Sequence, residues 1–286
     1  MQTVLITGAS SGIGREAALG YASRGCRLVL AARGTTNLEK VAGECLEAGA
    51  TDALAHPTDI SESDSVRDLF DAAEARFGDV DIVVQNAAVA AFGRFTEVPS
   101  EVFDTVIRIN VIGAANVARE ALRHFRDRDG GQLVIVGSVL GQAAVPYMGA
   151  YVMSKFAVTA LIRMLRQETK ELPGIVVHGV YPGAVDTPIY QLSANYFGRA
   201  ARVLPFNDSP AKIARTVVAA TDSGKPSERQ ATLSNWPMLA AYRLVPRVFD
   251  AMVGPLMRAL SFTPEDFDAS EGNAFIRVDK DTPANT

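Results

Sequence analysis

Short apolar runs alternate with helical stretches along most of the chain. Residues 4–7, 27–31, 53–56, 81–85, 133–136 and 175–180 are strand-length runs rich in Val, Ile and Leu. Between them lie helical stretches at 13–24, stopped by Gly25, and at 36–48, stopped by Gly49. The capping-box form Ser61-Glu62-Ser63-Asp64 opens a third helix that runs to Gly78, and long helices follow at about 99–126 and 150–172. Unbroken strand–helix alternation predicts an α/β fold, a doubly wound parallel sheet in three layers. Each crossover must return right-handed across the sheet, which puts helices on both faces.

After Pro182 the pattern loosens through 188–206. Ser209-Pro210 reads as an N-cap with Pro at the first helical position, so a helix is expected at 211–221, with a last strand at 230–233. The tail then changes character. Leu244, Val248, Met252, Leu256 and Leu260, beside Val245, Phe249, Val253 and Met257, form an apolar stripe at spacing four, interrupted by Gly254-Pro255. The expected organisation is one α/β domain at 1–235, an amphipathic helical extension at 236–278 and a disordered tail at 279–286.

Composition narrows the function classes. The 286 residues, 48% apolar and 21% charged, are ordinary globular stock, and Lys+Arg 28 against Asp+Glu 32 gives a net charge of −4 with no long block of like charge. No electrostatic footprint for nucleic acid is present. Cys26 and Cys45 have no CxxC partner and no histidine cluster beside them, so neither a disulfide framework nor a metal site is expected. The chain enters Thr3-Val4-Leu5-Ile6 directly after Met1-Gln2, and no apolar run reaches the ~18–20 residues needed to span a bilayer; a soluble cytoplasmic protein is expected.

Between the first strand and first helix stands Thr7-Gly8-Ala9-Ser10-Ser11-Gly12-Ile13-Gly14. A Rossmann-type sheet places a pyrophosphate on the helix N-terminus there, and glycines let the backbone approach its oxygens. The spacing is GxxxGxG, not GxGxxG, and a plain tight βα turn would read the same way. Gly8-Ala9-Ser10-Ser11-Gly12 also satisfies GxSxG, a hydrolase nucleophile elbow with Ser10 as nucleophile. That reading needs a later Asp and His, and only His56, His124 and His178 are present. His56 and His178 read as structural residues near or within strands, and His124 as a helix-surface residue. The second strand ends in Ala31-Ala32-Arg33, where an acidic residue would bond the ribose 2′-hydroxyl of NAD; Ala and Arg leave room and positive charge for the 2′-phosphate of NADP. Arg15 is either a second phosphate partner or a solvated helix residue.

Tyr151 and Lys155 are four apart on a predicted helix and share a face. A cation ~4 Å away supplies the ~4 kcal/mol needed to bring a phenol from a pKa of about 10 towards neutrality. Alone, YxxxK is weak. Together with Thr7 to Gly14, Asn86-Ala87-Ala88, Asn110, Ser138 and Tyr181-Pro182-Gly183, in this order and spacing, it closely resembles the short-chain dehydrogenase/reductase family over about residues 1–235.

The resemblance implies an NADP(H)-dependent enzyme interconverting a carbonyl and a secondary alcohol. Tyr151 would be the general acid or base, Lys155 would lower its pKa and bind the nicotinamide ribose, Ser138 would bond the reacting oxygen, and Asn110 would hold a relay water. Gly8, Ser10, Ser11, Gly12, Ile13, Gly14, Arg15, Arg33, Asn86, Ala87, Pro182, Gly183 and Val185 would lie along the cofactor. Asp59 would contact adenine, and Thr187 would anchor the carboxamide. Two departures from the family pattern are Gln85-Asn86-Ala87-Ala88 for Asn-Asn-Ala-Gly and Gly137 for a second Ser. A catalytically silent NADP-binding sensor or scaffold is the other reading of the set.

Pocket walls are expected from 90–95, 140–148 and 188–206, which carry Phe92, Phe95, Leu140, Val145, Tyr147, Met148, Ile189, Tyr190, Tyr196 and Phe197 and suit a lipophilic ketone or alcohol. Arg94 and Arg199 are either partners of an anionic substrate group or solvated loop residues. The tail stripe has three roles open to it. It packs on its own core or a partner subunit of a homodimer or homotetramer, covers the pocket, or lies on a membrane surface with Arg243, Arg247 and Arg258 beside its apolar face.

Overall fold

Residues 1–128 and 130–275 are described in the computed structural model of the chain; the tail at 279–286 and positions 276–278 of the extension lie outside them. The main sheet contains β1 (Thr3–Thr7), β2 (Arg27–Ala32), β3 (Asp52–Pro57) and β4 (Ile82–Gln85) and, after the short β5 (Ala91–Phe92), β6 (Gly131–Val136) and β7 (Ile175–Tyr181). Past the one-turn α7 (Ile189–Leu192) and the short β8 (Ala194–Asn195) and β9 (Arg199–Ala201), β10 (Ser227–Gln230) completes it. The order is β3-β2-β1-β4-β6-β7-β10, parallel throughout. The winding reverses between β1 and β4. Loops leave those two strands towards opposite faces, and a crevice opens at their carboxyl ends.

Alternate strand residues serve the two faces. Leu5, Val83, Leu133 and Val177 pack with Val66 and Phe70 of α3 (Ser63–Phe77), Val117 and Phe125 of α5 (Ala114–Asp127), and Ile162 of α6 (Gly149–Glu168). Val4, Ile6, Leu28, Leu30 and Val134 pack with Ala18 and Tyr21 of α1 (Gly12–Ala22), Leu38 and Val41 of α2 (Thr35–Glu47), and Val217 of α8 (Pro210–Ala220). Each side chain so buried contributes ~1.5–3 kcal/mol, which makes this a rigid platform for the loops above it.

Several elements depart from the sequence pattern. Helix α3 starts at Ser63 with Glu62 as its N-cap and no side-chain cap; Ser61 instead donates its hydroxyl to Asp59 Oδ1 at 2.8 Å. The long helix expected at about 99–126 is α4 (Ser100–Ile107), a π-helical turn at Arg108–Gly113, and then α5. The last strand is 227–230 rather than 230–233, because Ala231 and Thr232 turn inward to bond Tyr181 and Gly183. Ser209 does cap α8, accepting the Lys212 N–H at 3.3 Å. The tail folds as α9 (Asn235–Leu244), α10 (Pro246–Leu260) and β11 (Phe262–Asp266), the last antiparallel to β9. Helix α10 continues through Gly254-Pro255, because Phe249, Val253 and Met257 on its inner face hold it against an aromatic cluster while Pro255 faces outward. Among the described residues, no helix is long and apolar enough to cross a membrane.

Candidate active site

The carboxyl ends of the strands open into a groove of about 580 Å³. Gly8, Ser10, Ser11, Gly12 and Ile13 line it after β1, Arg33 after β2, Asp59 after β3, Asn86 and Ala87 after β4, Ser138 after β6, and Pro182, Gly183, Val185 and Thr187 after β7. Tyr151 and Lys155 reach it from α6. Gly14, Arg15 and Asn110 stand outside the lining. A Cβ on Gly14 would sit 2.2 Å from the Gly8 carbonyl oxygen, so its part is to let α1 start against the turn. Arg15 is held by Glu44 at 2.7 Å and Glu16 at 2.6 Å, on the flank of α1.

The glycine turn is fixed from β4. Asn86 Nδ2 donates to the carbonyls of Thr7 and Gly8 at 3.2 and 3.3 Å, and Thr7 Oγ1 accepts the N–H groups of Asn86 and Ala87 at 3.1 and 3.2 Å. Thr7 donates in turn to Gln85 Oε1, and Gln85 Nε2 donates to the Ala87 carbonyl at 3.1 Å. Gln85, a departure from the family pattern, thus supplies a working amide. At the N-terminus of α1 the Ser11 side chain makes no capping bond, so the first-turn N–H groups have no side-chain partner from their cap.

Ser138, Tyr151 and Lys155 meet at the other end of the groove. Ser138 begins a tight turn in which its Oγ accepts the Leu140 N–H at 3.1 Å, and a hydrogen bond links it to the Tyr151 phenol. Lys155 is 4% exposed; its Nζ donates to the Val136 carbonyl at 3.1 Å and stands 5.6 Å from the centre of the Tyr151 ring. Burial pushes the Tyr151 phenol up to about 12 against the Ser138 bond, and pushes Lys155 down to about 8. The expected lowering of Tyr151 by Lys155 is therefore not what sets the phenol in the protein alone: burial raises it and the Ser138 bond is what opposes the rise, because a low-dielectric site penalises phenolate and ammonium alike.

Asn110 lies in the π-helical turn. Its Oδ1 accepts the Val89 N–H at 2.8 Å, and its Nδ2 donates to the Val89 carbonyl at 2.8 Å and to Ser154 Oγ at 2.9 Å. Ser154 Oγ donates to the Tyr151 carbonyl at 2.7 Å, so Asn110 ties the loop after β4 to the turn of α6 that carries Tyr151. No sequence period shows a π turn; a polar Asn among apolar helix positions is its one trace.

All three histidines are occupied away from Ser10. His56 Nδ1 pairs with Thr58 Oγ1 at 3.0 Å, and His178 bridges Ser227 and Gln132 at 3.0 and 3.1 Å. His124 is buried rather than on the helix surface, because its Nε2 accepts the Val80 N–H at 3.0 Å and its Nδ1 bonds Glu74 at 2.6 Å.

With this geometry established, comparison with known proteins gives one decisive result: the short chain dehydrogenase family model matches residues 2–195. The chain belongs to that family. Dehydrogenase/reductase SDR family member 7 of Mus musculus is 36% identical over 189 residues, 65% of this chain and 56% of that protein. The chain thus spans little more than half the length of that relative. Trihydroxynaphthalene reductase PfmaI of Pestalotiopsis fici is 34% identical over 190 residues, 66% of each chain. Among solved structures, an alcohol dehydrogenase from Thermococcus sibiricus complexed with 5-hydroxy-NADP superposes with TM-score 0.69 at 32% identity, covering 80% of this chain and 95% of that one. A short-chain dehydrogenase/reductase from Burkholderia phymatum in complex with NAD gives 0.75 at 26% identity, covering 89% and 96%.

The expected wall segments of this short-chain dehydrogenase do converge. Phe92, Val145, Met148, Val152 and Phe262 form a buried cluster with Tyr147, Tyr151, Ile189, Tyr190 and Phe197, and Met238, Phe249, Val253 and Met257 of the extension pack on it. Phe95 and Tyr196 are the exceptions: Phe95 is 69% exposed against Phe103, and Tyr196 packs against the main core. Arg94 pairs with Glu97, and Arg199 is exposed on β9. Sequence reading missed Asn37, Thr58 and Asn273, which also line the groove. Asn273 comes from beyond the sheet and carries no motif. Arg33, at the same end, donates to the carbonyls of Asn273 at 2.6 Å and Ala274 at 3.3 Å.

Proposed function

We propose that this chain is an NADP(H)-dependent oxidoreductase that interconverts a carbonyl and a secondary alcohol on a lipophilic substrate. The observation that carries the reading is the meeting of Ser138, Tyr151 and Lys155 beside an apolar cluster at one end of a groove whose other end is the glycine turn. The groove fits a dinucleotide. Its turn has glycines at two places where a Cβ would strike backbone, Gly8 meeting Ala87 Cα at 2.8 Å and Gly14 meeting the Gly8 oxygen at 2.2 Å, and the β2 end presents Ala31, Ala32 and Arg33 with no carboxylate on that strand end. That end suits a 2′-phosphate better than a 2′-hydroxyl.

The nicotinamide, when bound, supplies or takes up the hydride at the reacting carbon. Ser138 Oγ then donates to the oxygen on which charge develops, and the Tyr151 phenol, protonated at neutral pH, delivers a proton to it. Lys155 places a cation beside the phenol, and Asn110 fixes the helix turn on which Tyr151 stands. A silent sensor would have no chemical use for this Ser–Tyr–Lys geometry. A serine hydrolase at Ser10 would need a histidine, and each is bonded elsewhere.

The test is Tyr151→Phe, which removes only the phenol oxygen. NADPH affinity should persist within about two-fold while single-turnover hydride transfer to a panel of hydrophobic ketones falls ~10²–10⁴-fold. Reduction at the parent rate would overturn the mechanism.

A further inference from the structure

After β11 the described chain ends in a strap that the sheet does not require. Ser270 donates its N–H to the Asn195 carbonyl at 2.9 Å and accepts the Asn195 N–H at 2.7 Å, and the Asn273 N–H donates to the Leu192 carbonyl at 2.7 Å. Gly272 sits between these bonds in the left-handed region at φ +53, where a Cβ would lie 2.4 Å from the Leu192 oxygen. Ala274 is 2% exposed within the main core, and Asn273 is a wall of the groove. The strap is therefore seated in a formed site. It spans from the segment after β7, on the substrate side, to Arg33 after β2, whose guanidinium it grips through two carbonyls.

We propose that this strap is part of the dinucleotide site and determines cofactor choice by holding Arg33 towards the 2′-phosphate of NADP(H). The inference rests on the NADP reading above. A loose Arg side chain has rotamer freedom to lose when it binds a phosphate. One already gripped by two carbonyls has lost most of it, so its contact with the phosphate comes at less entropic cost. NAD(H) carries a hydroxyl at that position and gains little from the arrangement. The strap thus acts on the difference between the two cofactors rather than on dinucleotide binding in general, which separates a positioning role from a merely structural one.

The experiment is equilibrium titration of the full chain with NADP⁺ and with NAD⁺. Gly272→Val, which drives a branched side chain into Leu192 and Ser193, and Ala274→Leu, which overfills the seat of the strap, should each weaken NADP⁺ binding about ten-fold and leave NAD⁺ within about two-fold. Arg33→Ala should lower the same ratio, and adding Gly272→Val to it should bring no further loss, since both changes remove one interaction. If Arg33→Ala lowers the ratio but both strap variants keep it, or weaken both cofactors equally, the strap inference is overturned and the NADP reading stands. If Arg33→Ala also leaves the ratio unchanged, the NADP reading falls and the strap inference with it.

Discussion

Lys155→Met should make the protein more stable at neutral pH, by an amount that shrinks as the pH rises. Lys155 is 4% exposed; its ammonium donates to one carbonyl, and burial alone drives its pKa from 10.5 to about 8. In the unfolded chain it titrates with its ordinary value. Between these pH values the unfolded state therefore binds a proton that the folded state does not, and linkage makes stability rise with pH across that window. Below about pH 8 the charged group works against the fold by roughly 3 kcal/mol, and about 2 kcal/mol of this is relieved between pH 7 and about 9.5. Methionine is apolar and of similar length, so it removes the charge with little change in packing. It also leaves the Val136 carbonyl without a donor, at ~1–3 kcal/mol. A neutral amine makes that bond too, so its loss shifts the offset between the two proteins and not the slope. Urea unfolding of both proteins at matched ionic strength, in steps from about pH 7 to 9.5, measures the slope of the difference. A difference flat across that range would refute the reasoning, because it would mean that Lys155 keeps its proton in the folded state as readily as in water.

Three further outcomes follow from the same geometry. Gly14→Ala places a methyl 2.2 Å from the Gly8 oxygen and should cost more than about 2 kcal/mol in urea unfolding, together with loss of dinucleotide binding. Phe262→Ala empties a buried site between Phe92, Tyr147 and Phe197 and should cost ~3–5 kcal/mol while widening the range of ketones accepted in a substrate panel. Ser10→Ala should leave single-turnover hydride transfer at saturating NADPH within about three-fold of the parent, since all three histidines are bonded elsewhere; a ~10²-fold loss under those conditions would return Ser10 to the chemistry.

The sheet was readable because a strand buried on both faces needs an unbroken apolar run, and β1, β4, β6 and β7 each have one, at 4–6, 82–84, 133–136 and 175–177. The glycine turn, Ser138, Tyr151 and Lys155 were readable because each occupies a fixed offset from a strand or helix end. What escaped depended on tertiary context. The π turn at Arg108–Gly113 keeps the apolar helix pattern on both sides, and only the bonds from Asn110 to Val89 and Ser154 reveal why it widens. Ser61 satisfies the capping-box pattern, yet Asp59 offers its hydroxyl a charged acceptor. His124 stands on a helix whose surroundings are polar in sequence, and α3 across from it turns the position into an interior one. Arg15 carries the right charge at the right end of α1, but Glu44 on α2 claims it.

The extension shows most plainly how one stripe divides its work. Phe249, Val253 and Met257 point at the aromatic cluster beside Tyr151, while Val248, Met252 and Leu256, one position round the helix, are more than half exposed. Hydrophobic periodicity cannot separate these two sets, because both are apolar at spacing four. Packing separates them by reach: the inner set touches Tyr147 and Phe262 through a cluster that also receives β11, and Arg258 fastens the helix by donating to the Tyr147 hydroxyl at 2.6 Å. Tyr147 itself holds a left-handed φ of 70, unusual for a bulky residue and a strain the surrounding contacts must hold in place. The extension, Tyr147 and the first turn of α6 therefore form one mechanical unit. A change on the inner face of α10 meets the cluster on which Tyr147 and Tyr151 also pack, whereas the same change on its outer face meets the surface.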